Sequence, residues 1–155
     1  MGSIQTERGS SMTFEEAKTV LGTGGITCIV LKEGNDPLIS RVRGVKPIVG
    51  WIEEGADLKD AAVFDTIVGR AAAMMYILAG VGFVYGRVMS RGGAAELEKA
   101  GISYEAGEYT DRIVNRQGTG MCPMEETVLE ITDPEEAFSA LKAKIAALQS
   151  AKPAV

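Results

Sequence analysis

The sequence predicts an α/β domain, a three-layer α/β/α sandwich built on a mixed sheet. Three observations carry this expectation. Two apolar runs, residues 26–32 and 38–42, flank the turn-forming Glu33-Gly34-Asn35-Asp36 and read as an antiparallel hairpin. Strand and helix patterns then alternate from residue 61 to 106, the order of parallel strands joined by crossover helices. Hydrophobic residues make up 46% of the 155 positions and charged ones 24%, so the chain can bury a core and is not expected to be disordered.

Residues 1–11 are polar and without pattern, and read as a tail or remnant outside the fold. Residues 12–150 form a single domain. Thr13-Phe14-Glu15-Glu16 is a capping box that opens a short helix ending near Gly22. After the hairpin, residues 47–54 read as a helix with Ile48, Trp51 and Ile52 on one face. Residues 61–64 are a short apolar strand delivering Asp65 as N-cap to a helix over 66–79. Residues 83–89 form the next strand, followed by a helix over 94–100 that Gly101 stops. Residues 102–106 are a strand and 112–115 a short one. Pro123 starts a helix with Cys122 as N-cap. Asp133-Pro134-Glu135-Glu136 caps the last helix, whose Phe138, Leu141, Ile145 and Leu148 point inward. Residues 151–155 read as a frayed end.

The net charge of −5 disfavours nucleic acid, since phosphate backbones are repelled and no basic, aromatic-laced stretch offsets it. The longest apolar run, residues 71–85, is interrupted by Gly80 and Gly82 and falls short of the ~20 residues a bilayer needs. With no signal segment at the start, a cytoplasmic location without membrane partners is expected. The chain holds no histidine, which removes the commonest metal ligand and general base together with every Ser–His or Cys–His pair. Its two cysteines differ in context: Cys28 lies in an apolar run and Cys122 in a glycine-rich one, so a structural disulfide is not expected.

Three blocks go beyond pattern: Arg43-Gly44-Val45-Lys46-Pro47, Asp65-Thr66-Ile67-Val68-Gly69-Arg70-Ala71-Ala72-Ala73, and Asn115-Arg116-Gln117-Gly118-Thr119-Gly120-Met121-Cys122-Pro123-Met124-Glu125. In these blocks, and from Thr13 to about Leu148, the chain resembles a small prokaryotic family known only as a domain of unknown function. The resemblance implies a cytidine-deaminase-like fold and no particular activity. Zinc deaminases carry His-x-Glu or Cys-x-Glu at one core helix start and Pro-Cys-x-x-Cys at the next. The corresponding positions here, read as Asp65-Thr66-Ile67 and Ser90-Arg91-Gly92-Gly93, hold neither histidine nor cysteine. A zinc site needs three protein ligands, so neither a metal nor another cofactor is expected, and the usual zinc-hydroxide deamination is excluded there.

The candidate site is drawn from these blocks. Cys122 at a helix start would face free backbone N–H groups, which favour thiolate, and Gly118, Thr119 and Gly120 ahead of it suit an anion-binding loop. Glu125 either bonds back to the Cys122 backbone as a cap or serves as acid or base. Asp65, Gly69 and Arg70 stand where open α/β sheets place ligands. Asn115 and Arg116 either orient a ligand or merely turn the chain, and Ser90 borders the pocket or simply caps a helix. Arg41, Arg43 and Lys46 read as local positive charge, a solvated face that also favours a bound anion. Gly22-Thr23-Gly24-Gly25 precedes a strand, the wrong context for a phosphate loop.

Three functions follow. The first is a zinc-free deaminase-like pocket holding a nucleotide or nucleoside-like small molecule. The second is a Cys122-dependent group transfer or hydrolysis on such a molecule, with Glu125 or Asp65 as proton carrier. The third is an interaction subunit, and a homo-oligomer is open under each. Asp65, Ser90 and Cys122 are expected around one cavity, and Cys122 is expected to be the more reactive thiol.

Overall fold

The computed structural model describes residues 3–5, 11–115 and 117–150. The chain runs β1 (Ser3–Gln5), β2 (Ser11–Thr13), α1 (Phe14–Val20), β3 (Cys28–Leu31), β4 (Leu38–Ser40), α2 (Lys46–Glu53), β5 (Ala62–Val68), α3 (Arg70–Ala79), β6 (Phe83–Ser90), α4 (Arg91–Ala100), β7 (Ser103–Thr110), α5 (Pro123–Thr127) and α6 (Pro134–Ser150). β1 pairs antiparallel with β2. The rest of residues 1–11, and residues 151–155, lie outside the described residues.

The α/β class with a mixed sheet is the one found. The sheet order is β4-β3-β5-β6-β7. β3 is antiparallel to both β4 and β5, whereas β5, β6 and β7 are parallel. On one face α1 packs Ala17 and Leu21 over Ile29, Phe64 and Tyr85. Phe64 is fully buried there, edge-on to Phe14 at 5.2 Å. The opposite face buries Ile48 of α2, Met74, Met75 and Tyr76 of α3, Leu97 of α4 and Leu141 of α6. Each helix thus turns its apolar stripe to the sheet, which gives the three layers. Among the described residues no helix is long and apolar enough to cross a membrane.

The capping box of α1 forms as expected, Thr13 Oγ1 accepting from Glu16 N–H and Glu16 from Thr13 N–H. Four boundaries differ from expectation. β5 does not stop at Phe64 but runs to Val68, so Asp65 is a mid-strand residue and not an N-cap. Thr66, Ile67 and Val68 are all β-branched and prefer the pleated sheet to a first helical turn. α3 starts at Arg70, with Gly69 as its N-cap. α4 starts at Arg91, because Ser90 caps it by accepting from Gly93 N–H at 2.9 Å, and so includes Gly92 and Gly93. A Cβ on Gly93 would lie 2.9 Å from Gly69 O, so the glycine lets the two helix starts touch. β7 continues through Gly107, where a Cβ would sit 2.6 Å from Arg87 O. The expected strand at 112–115 reduces to one bridge, Val114 to Met121. Leu148 does not point into the core but is 40% exposed.

Candidate functional site

β5 ends beside the segment that follows β4, and the starts of α5 and the end of α6 close over that edge. Between them lies an open cleft of about 800 Å³. Its floor is Asp65, Thr66 and Ile67 of β5 with Gly69. Arg41, Arg43 and Lys46, which follow β4, line it as a basic wall, and Asn115, Cys122 and Glu125, at and before the start of α5, line it as well. A smaller cavity of about 140 Å³ adjoins it, lined by Arg70, Ser90 and Arg112 and sharing Glu125.

Asp65 is the most unusual group in the cleft. It is only 7% exposed, and Tyr76, fully buried on α3, donates its hydroxyl to Asp65 Oδ2 at 2.6 Å. Asp65 Oδ1 accepts a long 3.4 Å bond from Ile67 N–H. Burial raises this carboxyl from 3.8 to about 7, against the pull of Tyr76 and the backbone N–H groups of Ile67 and Thr66. Cys28, the register partner of Asp65 on β3, places its sulfur 3.6 Å from the Tyr76 hydroxyl. Burial pushes the Cys28 thiol well above its ordinary value, and the Asp65 charge adds to the rise. Burial also pushes Tyr76 up, reinforced by the Asp65 charge.

Glu125 does not cap its own helix. Its Oε1 accepts from Arg70 N–H at 2.9 Å and its Oε2 from Ala71 N–H at 2.8 Å, so it caps α3 from across the fold. This supplies the negative charge that Gly69 cannot offer at the positive helix end. A Cβ on Gly69 would lie 2.6 Å from Glu125 Oε2, so the missing side chain makes room for the carboxylate. Arg70 returns the tie. Its guanidinium donates to the carbonyls of Val128 and Ile131 and pairs with Glu96 at 2.9 Å. Arg70 therefore holds the chain after α5 rather than facing the large cleft.

Cys122 is the N-cap of α5 but makes no side-chain capping bond, and α5 is only five residues long. Its thiol is half-buried in the cleft wall, whereas Cys28 is buried. Asn115 closes its own turn: Oδ1 accepts from Thr119 N–H at 3.0 Å, Nδ2 donates to Thr119 Oγ1 at 3.2 Å, and the backbone N–H donates to Gly120 O at 2.8 Å. Gly118 takes a positive φ of 71° in that turn.

Of the residues singled out from the sequence, the cleft gathers Asp65, Gly69, Asn115, Cys122 and Glu125. Ser90 and Arg70 border the adjoining cavity instead, so the single cavity expected for Asp65, Ser90 and Cys122 is two neighbours that meet at Glu125. Gly118, Thr119 and Gly120 line neither, and Arg116 lies outside the described residues. The helix start once matched to Asp65-Thr66-Ile67 is Gly69-Arg70-Ala71, which likewise holds no histidine or cysteine. Among the described residues no three His, Cys, Asp or Glu side chains converge to hold a metal ion.

Of two further features, sequence reasoning saw one as charge and missed the other. Arg41, Arg43 and Lys46 read from the sequence as local positive charge, a solvated face that also favours a bound anion, and they line the cleft. Tyr76 reads as one apolar-helix residue among others, although a buried phenol needs a hydrogen-bond partner and so points to a nearby acid.

Comparison with known proteins adds the following. The family described as TM1506: Domain of unknown function (DUF1893) matches residues 16–145. The crystal structure of a DUF1893 family protein (TM1506) from Thermotoga maritima is similar at a TM-score of 0.75 and 24% identity, over 84% of this chain and 88% of that one. It shares the fold. A dCMP deaminase from the cyanophage S-TIM5 is similar at 0.39 and 18% identity, over 66% of this chain and 84% of that one. A diaminohydroxyphosphoribosylaminopyrimidine deaminase/5-amino-6-(5-phosphoribosylamino)uracil reductase from Thermotoga maritima is similar at 0.43 and 16% identity, over 70% of this chain and 35% of that one. The last two scores are too low to carry an argument. No curated protein matches the chain.

Proposed function

From a chain that belongs to the DUF1893 family, we propose a binding module whose cleft holds a small anionic ligand with a flat heterocyclic body, of nucleotide or nucleoside-like chemistry. The observation that carries this reading is the cleft itself, which joins three kinds of wall in one volume of about 800 Å³. Ligand sites span roughly 300–1,000 Å³ and combine apolar walls with a few placed polar groups. Arg41, Arg43 and Lys46 supply positive charge for an anion on a protein of net charge −5. Arg43 and Lys46 enter no ion pair among the described residues. Ile67, Val114 and Leu148 leave apolar surface open along the same cleft, at 44%, 53% and 40% exposure. Such surface is suited to covering a flat ring. Asp65 sets a buried polar group beneath it.

The test is calorimetric titration with nucleoside monophosphates on wild type and on the double variant Arg43→Glu/Lys46→Glu. Wild type is expected to bind with a Kd in the micromolar range, about −8 kcal/mol. The double variant is expected to bind at least about tenfold more weakly, and wild-type binding to weaken with salt. Affinity untouched by the charge reversal, or no heat with any nucleotide, refutes the reading.

Cys122 in the wall of the cleft favours a second reading, group transfer or hydrolysis through its thiol on a ligand of the same class. Iodoacetamide at pH 8 is expected to label Cys122 in the native protein and spare buried Cys28. Bound nucleotide is expected to protect it. Equal, slow labelling of both thiols ends the thiol reading, and turnover that survives Cys122→Ser does so too.

A further inference from the structure

We propose that Asp65 sets the specificity of the cleft, favouring heterocycles that present a lone-pair ring nitrogen beside an exocyclic amino group over their oxo counterparts. The inference rests on the reading of the cleft as a ligand site.

A hydrogen-bond chain leads to Asp65. The Tyr76 hydroxyl has one proton and two neighbours, Asp65 Oδ2 at 2.6 Å and Cys28 Sγ at 3.6 Å. The short bond to the carboxyl takes the proton, since an oxygen acceptor of that kind is far stronger than sulfur. The Cys28 thiol then donates to the Tyr76 oxygen. The chain runs Cys28 S–H to Tyr76 O–H to Asp65, and it fixes Oδ2 as an acceptor. A protonated Asp65 must therefore carry its hydrogen on Oδ1, the oxygen with the long 3.4 Å backbone contact. Asp65 is 7% exposed and still lines the cleft, and with Oδ2 engaged by Tyr76 the carboxyl oxygen left for a ligand is Oδ1.

A carboxyl buried to this degree resists ionisation, because a lone charge loses its hydration there. In its neutral form Oδ1–H donates, and it needs an acceptor. A ring nitrogen with a lone pair accepts that hydrogen, or takes the proton altogether and leaves a paired carboxylate beside a ligand cation. Either arrangement leaves no unpaired buried charge. The oxo counterpart carries N–H at the same ring position. Two donors then face each other unless Asp65 ionises, and ionisation is what its burial opposes. A mismatched buried donor is costly, and this is the kind of contact that gives sharp discrimination.

The groups packed around Asp65 leave it as the one that changes near neutrality. Tyr76 from α3 and Cys28 from β3 are both pushed upward by burial, and the β6 register partner is Gly86, which has no side chain to titrate. The cleft lining also holds Arg41, Arg43, Lys46, Cys122 and Glu125, and Asp65→Asn keeps all five, so a pH effect it shares with wild type is not assigned to Asp65.

The experiment titrates two matched pairs, CMP with UMP and AMP with IMP, against wild type, Asp65→Asn and Asp65→Leu at pH 6 and pH 8.5. Tyr76 would engage the amide oxygen of Asp65→Asn and leave an N–H toward the cleft, so this variant keeps the donor but cannot ionise. Wild type is expected to prefer the amino member of each pair by at least about tenfold at pH 6 and to lose or reverse that preference at pH 8.5, where ionised Asp65 accepts from the oxo member's ring N–H. Asp65→Asn is expected to hold the preference at both pH values, and it retains every other charged group of the cleft as a control. Asp65→Leu is expected to bind both members alike; should it fail to fold, the contrast between wild type and Asp65→Asn decides alone. Equal affinity for both members of each pair in wild type overturns the inference and leaves the cleft reading standing. A preference that survives in folded Asp65→Leu overturns it as well. Binding of none of the four overturns the reading on which it rests.

Discussion

Asp65→Asn is expected to raise stability at pH 8 and to leave it nearly unchanged at pH 4. In the folded protein the carboxyl is raised from 3.8 to about 7 by burial. Between those values the native state holds a proton that the unfolded chain has released. Stability therefore falls as pH rises from about 4 to about 7, and the whole penalty is present above that. A rise of this size corresponds to about 4 kcal/mol at most. The amide cannot ionise and keeps an acceptor for Tyr76, so about 2 kcal/mol or more should return at pH 8. For a chain of this length that is a melting temperature higher by roughly 4–8 °C. Scanning calorimetry of both proteins at pH 4 and pH 8 checks it. A variant that melts below wild type at pH 8, or a difference that does not depend on pH, would show that the buried carboxyl is not strained by its charge.

Arg70→Ala is expected to cost about 3 kcal/mol, mainly by releasing the chain that follows α5. The guanidinium, a fifth exposed, reaches Val128 O, Ile131 O and Glu96, and the Glu96 side chain is itself 14% exposed. Truncation leaves two carbonyls without their donor and a mostly buried carboxylate without its partner. Arg70→Lys should recover less than half of the loss, because one ammonium cannot spread donors over three acceptors. Urea unfolding measures the total, and hydrogen exchange at Leu129 and Ile131 locates it. A loss below about 1 kcal/mol, or full recovery by lysine, would show the tie to be ornamental.

Much of the fold was legible because its signals are local. Thr13 with Glu16, the turn at Gly34, Pro123 and Gly101 each act within a few residues, and each appears where the chain implied it. The boundary at Asp65 was not local. Asp before an apolar run is a good N-cap; the β-branched residues after it favour the strand, but the partner that lets its carboxyl be buried, Tyr76, stands eleven residues on. Glu125 misled for the same reason. Its spacing from Cys122 suits a capping box, but the two N–H groups it serves belong to α3, and nothing near it in sequence announces them. The basic wall was visible as charge and invisible as a wall, since Arg41, Arg43 and Lys46 meet Asp65 only when β3 and β5 pair. Local periodicity fixes which face an element buries, whereas a cleft is made by segments that no periodicity connects.

Gly69 and Glu125 compete for one volume: the glycine's missing side chain is where the carboxylate sits. Sequence drift at either position is therefore conditional on the other. A side chain gained at 69 turns the 125 carboxylate away and uncaps α3, and a shortened 125 removes the reason for glycine at 69. Either order of change passes through an uncapped helix, because the Glu125 carboxylate is the far end of a flexible side chain that a Cβ at 69 would turn aside from Arg70 and Ala71 N–H. Two positions on distant elements thus act as one unit: what either may become depends on the other.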